Sequence, residues 1–295
     1  MTRLEDKMAC YAELIQQGLE RYLPAEKGPL ETLFAAARYS ALAPGKRLRP
    51  ILLMECYALC GGQAEDALPF ACGLEMIHAY SLIHDDLPCM DDDDLRRGRP
   101  SNHKAYGEAM ALLAGDGLLT RAFEVMLGQA CPRIQPAWAM KAASIAAFCA
   151  GMEGMIGGQT MDLAFEREKP QAQQLEEMVR LKTGRLLLAA CAAGCALAGE
   201  EGEIMQRARH YADNLGLAFQ IQDDILDCEG DPAVFGKPIG SDASQGKTTF
   251  VSFYGLEECR RMVRQLTEQA VQEIAPAPGS EFLQQLAQSL TARTA

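Results

Sequence analysis

Aromatic residues are scarce in this chain, making up 6% of its 295 residues with a single Trp. Alternation of apolar and polar residues, the mark of a half-buried strand, is nearly missing as well. Thr248 to Tyr254 is the nearest case, and it is short. Ala, Leu, Met and Gln are plentiful instead, which favours helix over sheet. Positive charge is in deficit: 28 Lys and Arg against 40 Asp and Glu give a net charge of −12. That excludes a general basic face for a polyanion such as nucleic acid, but not a local cationic pocket for a small anion. The 11 cysteines contain no CxxC pair and no paired framework. Cys56, Cys72, Cys149, Cys191 and Cys195 sit in apolar helical runs, so reduced, buried thiols of a cytoplasmic protein are expected. Met1 to Gln17 has no apolar signal core. The longest uncharged apolar stretch, Leu186 to Gly199, has fourteen residues, too few to cross a bilayer, and reads as a buried core helix.

What the chain does have is helical periodicity almost throughout. Helices are expected near residues 4–22, 30–41, 48–60, 64–87, 102–130, 136–158, 173–199, 203–228 and 257–274. Turn residues separate them: Pro24 to Pro29, Ala43 to Gly45, Gly61-Gly62, Gly98 to Pro100, Cys131 to Pro136, Glu200 to Glu203, and Gly230 to Lys247. No repeat and no linker-like composition divides the chain, so one all-α domain over residues 1–295, of about ten helices, is expected. The runs around 71–83, 142–158 and 186–198 are apolar on most faces and belong in the middle of a bundle. That middle is either solid core or a pocket.

Two aspartate clusters favour the pocket. Asp223 and Asp227, in Phe219-Gln-Ile-Gln-Asp-Asp-Ile-Leu-Asp227, are four residues apart and return to nearly one helical face. Carboxylates one turn apart on an apolar helix repel, and a divalent cation removes that penalty. Such a pair leaves coordination positions open for waters and phosphates, which suits Mg²⁺. The first cluster, His84-Asp-Asp-Leu-Pro-Cys-Met-Asp-Asp-Asp-Asp94, places Asp85 and Asp91 six residues apart, about 240° out of phase on a straight helix. They converge only if the helix ends or distorts between them, and Pro88 supplies the reason. An EF-hand does not fit, because its alternating oxygens, glycine and closing Glu are missing. Taken alone, either cluster also fits a solvated acidic segment. Together, with scattered Lys and Arg, they describe a magnesium site for a diphosphate.

The segment His78 to Pro100, with Asp85-Asp86 and Asp91 followed by Arg96-Arg97, resembles the first aspartate-rich motif of bacterial-type farnesyl diphosphate synthases. Phe219 to Asp242 resembles the second motif of that family. Pro44-Gly-Lys-Arg-Leu-Arg-Pro50, Gly157-Gly-Gln-Thr-Met-Asp-Leu163 and Leu181-Lys-Thr-Gly184 are similar to three further family segments in the same order, and the likeness spans roughly residues 30–255. It implies a single polyprenyl synthetase domain in the isoprenoid-synthase fold, with helices around a large central cavity. It also implies a cytoplasmic homodimer that joins dimethylallyl or geranyl diphosphate to isopentenyl diphosphate. Three Mg²⁺, with Mn²⁺ as a substitute, would be held by Asp85, Asp86, Asp91 and Asp223, supported by Asp224 and Asp227. Arg96, Lys182, Lys237 and Lys247 would contact the allylic diphosphate; Lys46, Arg49, His78 and Arg97 would bind isopentenyl diphosphate. Lys182, Thr183 and Gln220 would face the allylic cation, and Gly184 would let their helix break.

His78 lies two helical turns before Asp85 and so shares its face. His84 reads as a structural neighbour of Asp85, while Arg47, Arg97 and Arg99 each have an alternative reading as solvated cations. Tyr80, about 7.5 Å along the axis from Asp85, and Ser81 stand where the growing chain should run. A large ring there would stop growth at fifteen carbons. Geranylgeranyl diphosphate synthase is the nearest rival. A terpene cyclase would not need the Lys46, Arg49 and His78 pocket, and a non-catalytic subunit would be expected to lose one aspartate motif.

Overall fold

The computed structural model describes residues 3–229 and 247–291. Lys237, the rest of segment 230–242, and Arg293 lie outside the described residues. The described residues are overwhelmingly helical: α1 (Arg3–Tyr22), α2 (Glu31–Ala41), α3 (Leu48–Leu59), α4 (Leu68–Asp85), α5 (Asn102–Tyr106), α6 (Glu108–Gly128), α7 (Pro136–Ala150), α8 (Met155–Phe165), α9 (Ala172–Val179), α10 (Arg185–Leu197), α11 (Glu203–Glu229), α12 (Phe250–Tyr254), α13 (Leu256–Ile274) and α14 (Glu281–Thr291). Two-residue strands β1 (Leu95–Arg96) and β2 (Arg99–Pro100) form a hairpin whose turn residues Arg97 and Gly98 both have positive φ, as a tight two-residue turn requires.

Burial sorts the helices as their sequence patterns suggest. α1 buries a stripe of Tyr11, Ile15, Leu19 and Tyr22, with Glu5 and Asp6 in its first turn and Arg21 in its last, matching the helix dipole. α10 is buried at every position from Leu186 to Leu197 and packs against α3, α4, α7 and α11, so the apolar fourteen-residue run is the axis of the bundle. The five cysteines expected in the core are buried there.

Several expected helices are divided. The run 102–130 breaks at Gly107, whose φ of 84° suits glycine. The run 136–158 stops at Ala150 and resumes as α8, which continues to Phe165. Residues Pro136–Phe165 are apolar enough over part of their 30 residues to span a membrane by composition, but half of that window is buried in the bundle. α9 and α10 are joined by a π turn, Arg180–Gly184, which realises the expected irregularity at Gly184 without ending the helix. Thr248 to Tyr254 is not strand-like. Thr249 caps α12, its hydroxyl accepting from Ser252 N–H at 3.2 Å, so its β-branched residues mark a helix start. α14 was not foreseen; its Phe282 packs edge-on to Tyr11, with ring centroids 6.3 Å apart.

Arg47 is the main correction among the charged residues. It is 5% exposed rather than solvated, has a φ of 48°, and donates to Glu75 Oε1 at 2.6 Å and to Gln16 Oε1 and Ala43 O at 3.0 Å. It thereby pins the loop before α3 to α1 and α4. Arg47→Met leaves Glu75 buried without its partner and is expected to cost ~3–5 kcal/mol, read from urea unfolding. The double change Arg47→Met/Glu75→Met is expected to recover much of that loss, and an unchanged midpoint in the single variant would contradict the pairing.

Candidate active site

α4 ends at Asp85, three residues before Pro88, and the chain then curls back. Met90 N–H donates to Leu87 O at 2.8 Å, and Asp91 N–H donates to Asp85 O at 2.9 Å. This turn brings Asp91 beside Asp85, as the six-residue spacing demanded. Asp86 points elsewhere. It is 2% exposed and accepts from Arg96 Nε at 2.9 Å, while Arg96 also reaches Asp93 Oδ2 at 3.1 Å. Asp86 and Arg96, expected on metal and on diphosphate, are paired to each other here and tie the hairpin to the end of α4.

The π turn places Lys182 against this cluster. Its Nζ lies 2.6 Å from Asp162 Oδ2 and 3.7 Å from Asp85 Oδ2. The turn can come this close to α8 because residue 158 is glycine; a Cβ there would meet Lys182 N at 2.2 Å. Burial works to lower the Lys182 pKa, but Asp85 and Asp162 outweigh it and hold it above its usual value. The Asp85 carboxyl is pushed up, first by burial, with Lys182 opposing. Lys247 Nζ stands 3.5 Å from Asp91 Oδ1. Carboxylates 85, 91 and 162 thus alternate with ammonium groups 182 and 247.

On α11 the acidic residues are unequal. Asp223 is half-buried, whereas Asp224 and Asp227 are each 5% exposed. Asp223 and Asp227 stand one turn apart on the regular helix α11, with Asp227 the more deeply buried. Asp224 accepts from Gln220 Nε2 at 3.1 Å and from Phe250 N–H at 2.9 Å, so it fixes the start of α12. Gln220 Oε1 in turn accepts from Thr183 Oγ1 at 3.3 Å, which gathers Thr183 and Gln220 with Lys182.

A cationic pocket adjoins the cluster. Arg49 Nη1 lies 3.5 Å from His78 Nε2. Burial, then the charges of Arg49, Arg97, Arg47 and Arg96, drive the His78 pKa well below its usual value, so the ring is neutral. Arg97 donates to Pro44 O at 3.0 Å and lies over Gly45, next to the exposed Lys46. Lys46, Arg49, His78 and Arg97 therefore surround one loop and one face of α4.

Beyond Asp85 the site opens into a cavity of about 450 Å³, whose polar end carries Arg49, His78, Lys182 and Thr183 and whose apolar wall includes Tyr80, Leu119, Met155, Ile156, Leu163 and Leu186, with Ser81 also on its lining. Tyr80 is 5% exposed, its ring set edge-on to His84 at 5.7 Å, and its buried hydroxyl has no hydrogen-bond partner. Burial raises the Tyr80 pKa to about 12. His84 reaches Leu112 O at 3.0 Å and is the structural neighbour expected. Sequence alone assigns no role to Asp162, Glu75 or Asp93, although Asp93 stands in the first aspartate cluster and Asp162 in the segment Gly157 to Leu163.

An ionic cluster of both signs at the mouth of an apolar, helix-walled cavity defines a class: transferases that ionise a hydrophobic diphosphate and shelter its chain. The polyprenyl synthetase family pattern matches residues 30–281, and the chain belongs to that family. It is 45% identical to a farnesyl diphosphate synthase of Geobacillus stearothermophilus over 83% of this chain and 82% of the relative. It is 43% identical to a geranylgeranyl diphosphate synthase of Cyanophora paradoxa over 89% of this chain and 87% of the relative. The geranyltransferase of Helicobacter pylori, solved with magnesium and isoprenyl diphosphate, superposes with a TM-score of 0.85 at 29% identity, covering 98% of this chain and 97% of that one. The all-α isoprenyl synthase fold and a short-chain prenyl transferase activity follow.

Asp162 is the informative position to change. Asp162→Ala frees Lys182 from its nearer carboxylate, and turnover is expected to fall about 10²-fold with the fold intact by circular dichroism. Asp162→Glu should recover part of the rate. Full activity in the alanine variant would show that Lys182 does not need this anchor.

Proposed function

We propose that this chain makes the fifteen-carbon product, (E,E)-farnesyl diphosphate, by two successive additions of isopentenyl diphosphate to dimethylallyl diphosphate. The observation that carries the reading is Tyr80, whose buried ring lines the cavity a little over one helical turn from Asp85. We assign magnesium to the carboxylates of Asp85, Asp91 and Asp223, an all-oxygen set that leaves positions for substrate oxygens and water, and Mn²⁺ suits the same donors. When bound there, magnesium supplies positive charge to the departing diphosphate. Asp86, Asp224 and Asp227 act one step away; Asp86 orients Arg96, and Asp224 holds Gln220 and α12.

Lys182, Lys247 and Arg96 neutralise the allylic diphosphate as its bond to the first carbon breaks, a role shared with Lys237 outside the described residues. The terminal double bond of isopentenyl diphosphate then attacks the allylic cation. A proton leaves the adduct for the released diphosphate, so no protein nucleophile is needed. Lys46, Arg49, His78 and Arg97 hold isopentenyl diphosphate, the cations by charge and His78 by a ring N–H. Thr183 lines the cavity and is held by Gln220, which places these polar oxygens beside the path of the cation, and the apolar wall keeps water away from it. The chain works as one catalytic domain in the cytoplasm, as a homodimer. Support for the dimer comes from large apolar side chains exposed on α6 and α7, among them Leu113, Leu127, Met140 and Phe148.

The test is the product profile from dimethylallyl and isopentenyl diphosphates. A fifteen-carbon product is expected with Mg²⁺ and no conversion after chelation; a twenty-carbon product from the unaltered chain would favour the geranylgeranyl reading. Tyr80→Ala is expected to release products of twenty carbons or more. An unchanged profile would refute Tyr80 as the floor.

A further inference from the structure

The turn that carries Asp91 continues into a second cluster that the prenyl-transfer chemistry does not use. One carboxylate oxygen each of Asp92 and Asp94 and one ring nitrogen of His103 lie within 4.8 Å of one another. Asp92 and Asp94 are exposed, whereas His103 at the start of α5 is only 5% exposed. The two histidine nitrogens differ sharply. Nδ1 lies 3.1 Å from the hydroxyl of Ser101, which is itself fully buried. Nε2 is buried with no hydrogen-bond partner and lies 3.8 Å from Asp92 Oδ1.

That is the arrangement expected of a metal-ligating histidine, whose second nitrogen is held by an outer partner while the first presents its lone pair. The Ser101 hydroxyl accepts from Nδ1 or donates to it according to the tautomer. In the tautomer protonated at Nδ1, the bare Nε2 faces Asp92, and a cation between the two would relieve their repulsion. Backbone bonds hold the pieces in register, since Ser101 N–H donates to Asp94 O at 2.9 Å. Lys104 Nζ lies 2.7 Å from Asp94 Oδ1 and neutralises part of the charge. It engages one oxygen of a group that has two.

We propose that Asp92, Asp94 and His103 form a second cation site, separate from the diphosphate site, for a first-row divalent ion such as Mn²⁺ or Zn²⁺. The mixed nitrogen and oxygen donors set it apart from the all-oxygen set of Asp85, Asp91 and Asp223, and imidazole draws first-row transition ions more than magnesium. Bonds of about 2.1 Å would place the ligand atoms about 3.4 Å apart, a contraction within reach of two exposed aspartates. Bound there, the ion braces the turn bearing Asp91 against α5, so the site would steady a carboxylate of the reaction centre without touching substrate.

The experiment uses the full chain, stripped of metal and titrated with Mn²⁺ alone, without any diphosphate. Mn²⁺ is chosen because the 11 cysteines would compete for Zn²⁺. Continuous-wave electron paramagnetic resonance counts the bound ion, and pulsed measurements read ¹⁴N coupling from an imidazole ligand. At least one bound equivalent is expected, and one ion should show ¹⁴N coupling that is retained in Asp85→Asn and Asp223→Asn. Asp92→Asn should weaken binding of that ion at least tenfold, and His103→Gln should abolish the coupling. Where His103→Gln fails to fold, the exposed Asp92→Asn and Asp94→Asn variants carry the test. No stoichiometric binding, binding without ¹⁴N coupling, or binding lost in Asp85→Asn but kept in Asp92→Asn would each overturn the proposal.

Discussion

Negative charge gathered beside an apolar cavity is the constraint from which the rest of this molecule follows. Two carboxylates about 4 Å apart repel by roughly 4 kcal/mol at an effective dielectric of 20, and burial adds to the cost. Asp85 shows the pressure directly, its carboxyl pushed up by burial with Asp91 adding to the shift. Without substrate the charge is offset from inside the chain. Lys182 stands between Asp85 and Asp162, Lys247 faces Asp91, and Arg96 faces Asp86. Each of these cations can turn to a diphosphate when one arrives, so the resting ion pairs and the proposed substrate contacts use the same groups.

The helical framework serves that arrangement through its irregularities. α4 must stop at Asp85 for Asp91 to come back beside it, and a π turn must interrupt the α9–α10 run for Lys182 to reach the cluster. Arg47 sits in a left-handed conformation and is buried against Glu75, which holds the loop carrying Lys46 and the start of α3, where Arg49 lies 3.5 Å from His78. Regular, fully buried α10 forms the axis against which these departures are held.

The helical class, the apolar α10 and the need for a break after Asp85 could all be read from composition, periodicity and spacing. The divisions at Gly107 and Gly151 could not, because the apolar pattern runs on through them while the backbone turns. The short helix at Phe250 to Tyr254 was not legible, because the β-branched residues around its cap alternate much as a strand would. At the site, the chain positions of the carboxylates and lysines were visible, but their partners were not. Arg47 and Arg96 look alike in sequence as solvated or substrate-binding cations, and only packing gives Arg47 to Glu75 and Arg96 to Asp86. Asp162 lies 20 residues from Lys182, and no local periodicity links the two.

The account's central claim is spatial: the ionic mouth takes the diphosphate and the apolar cavity takes the chain. A crystal structure with Mg²⁺ and an unreactive thio-analogue of geranyl diphosphate measures both at once. The expected result has metal on Asp85, Asp91 and Asp223, Lys182 turned from Asp162 toward the diphosphate, and the prenyl tail directed along α4 to the Tyr80 ring. A diphosphate bound away from these carboxylates, or a tail leaving the cavity on another side, would contradict it.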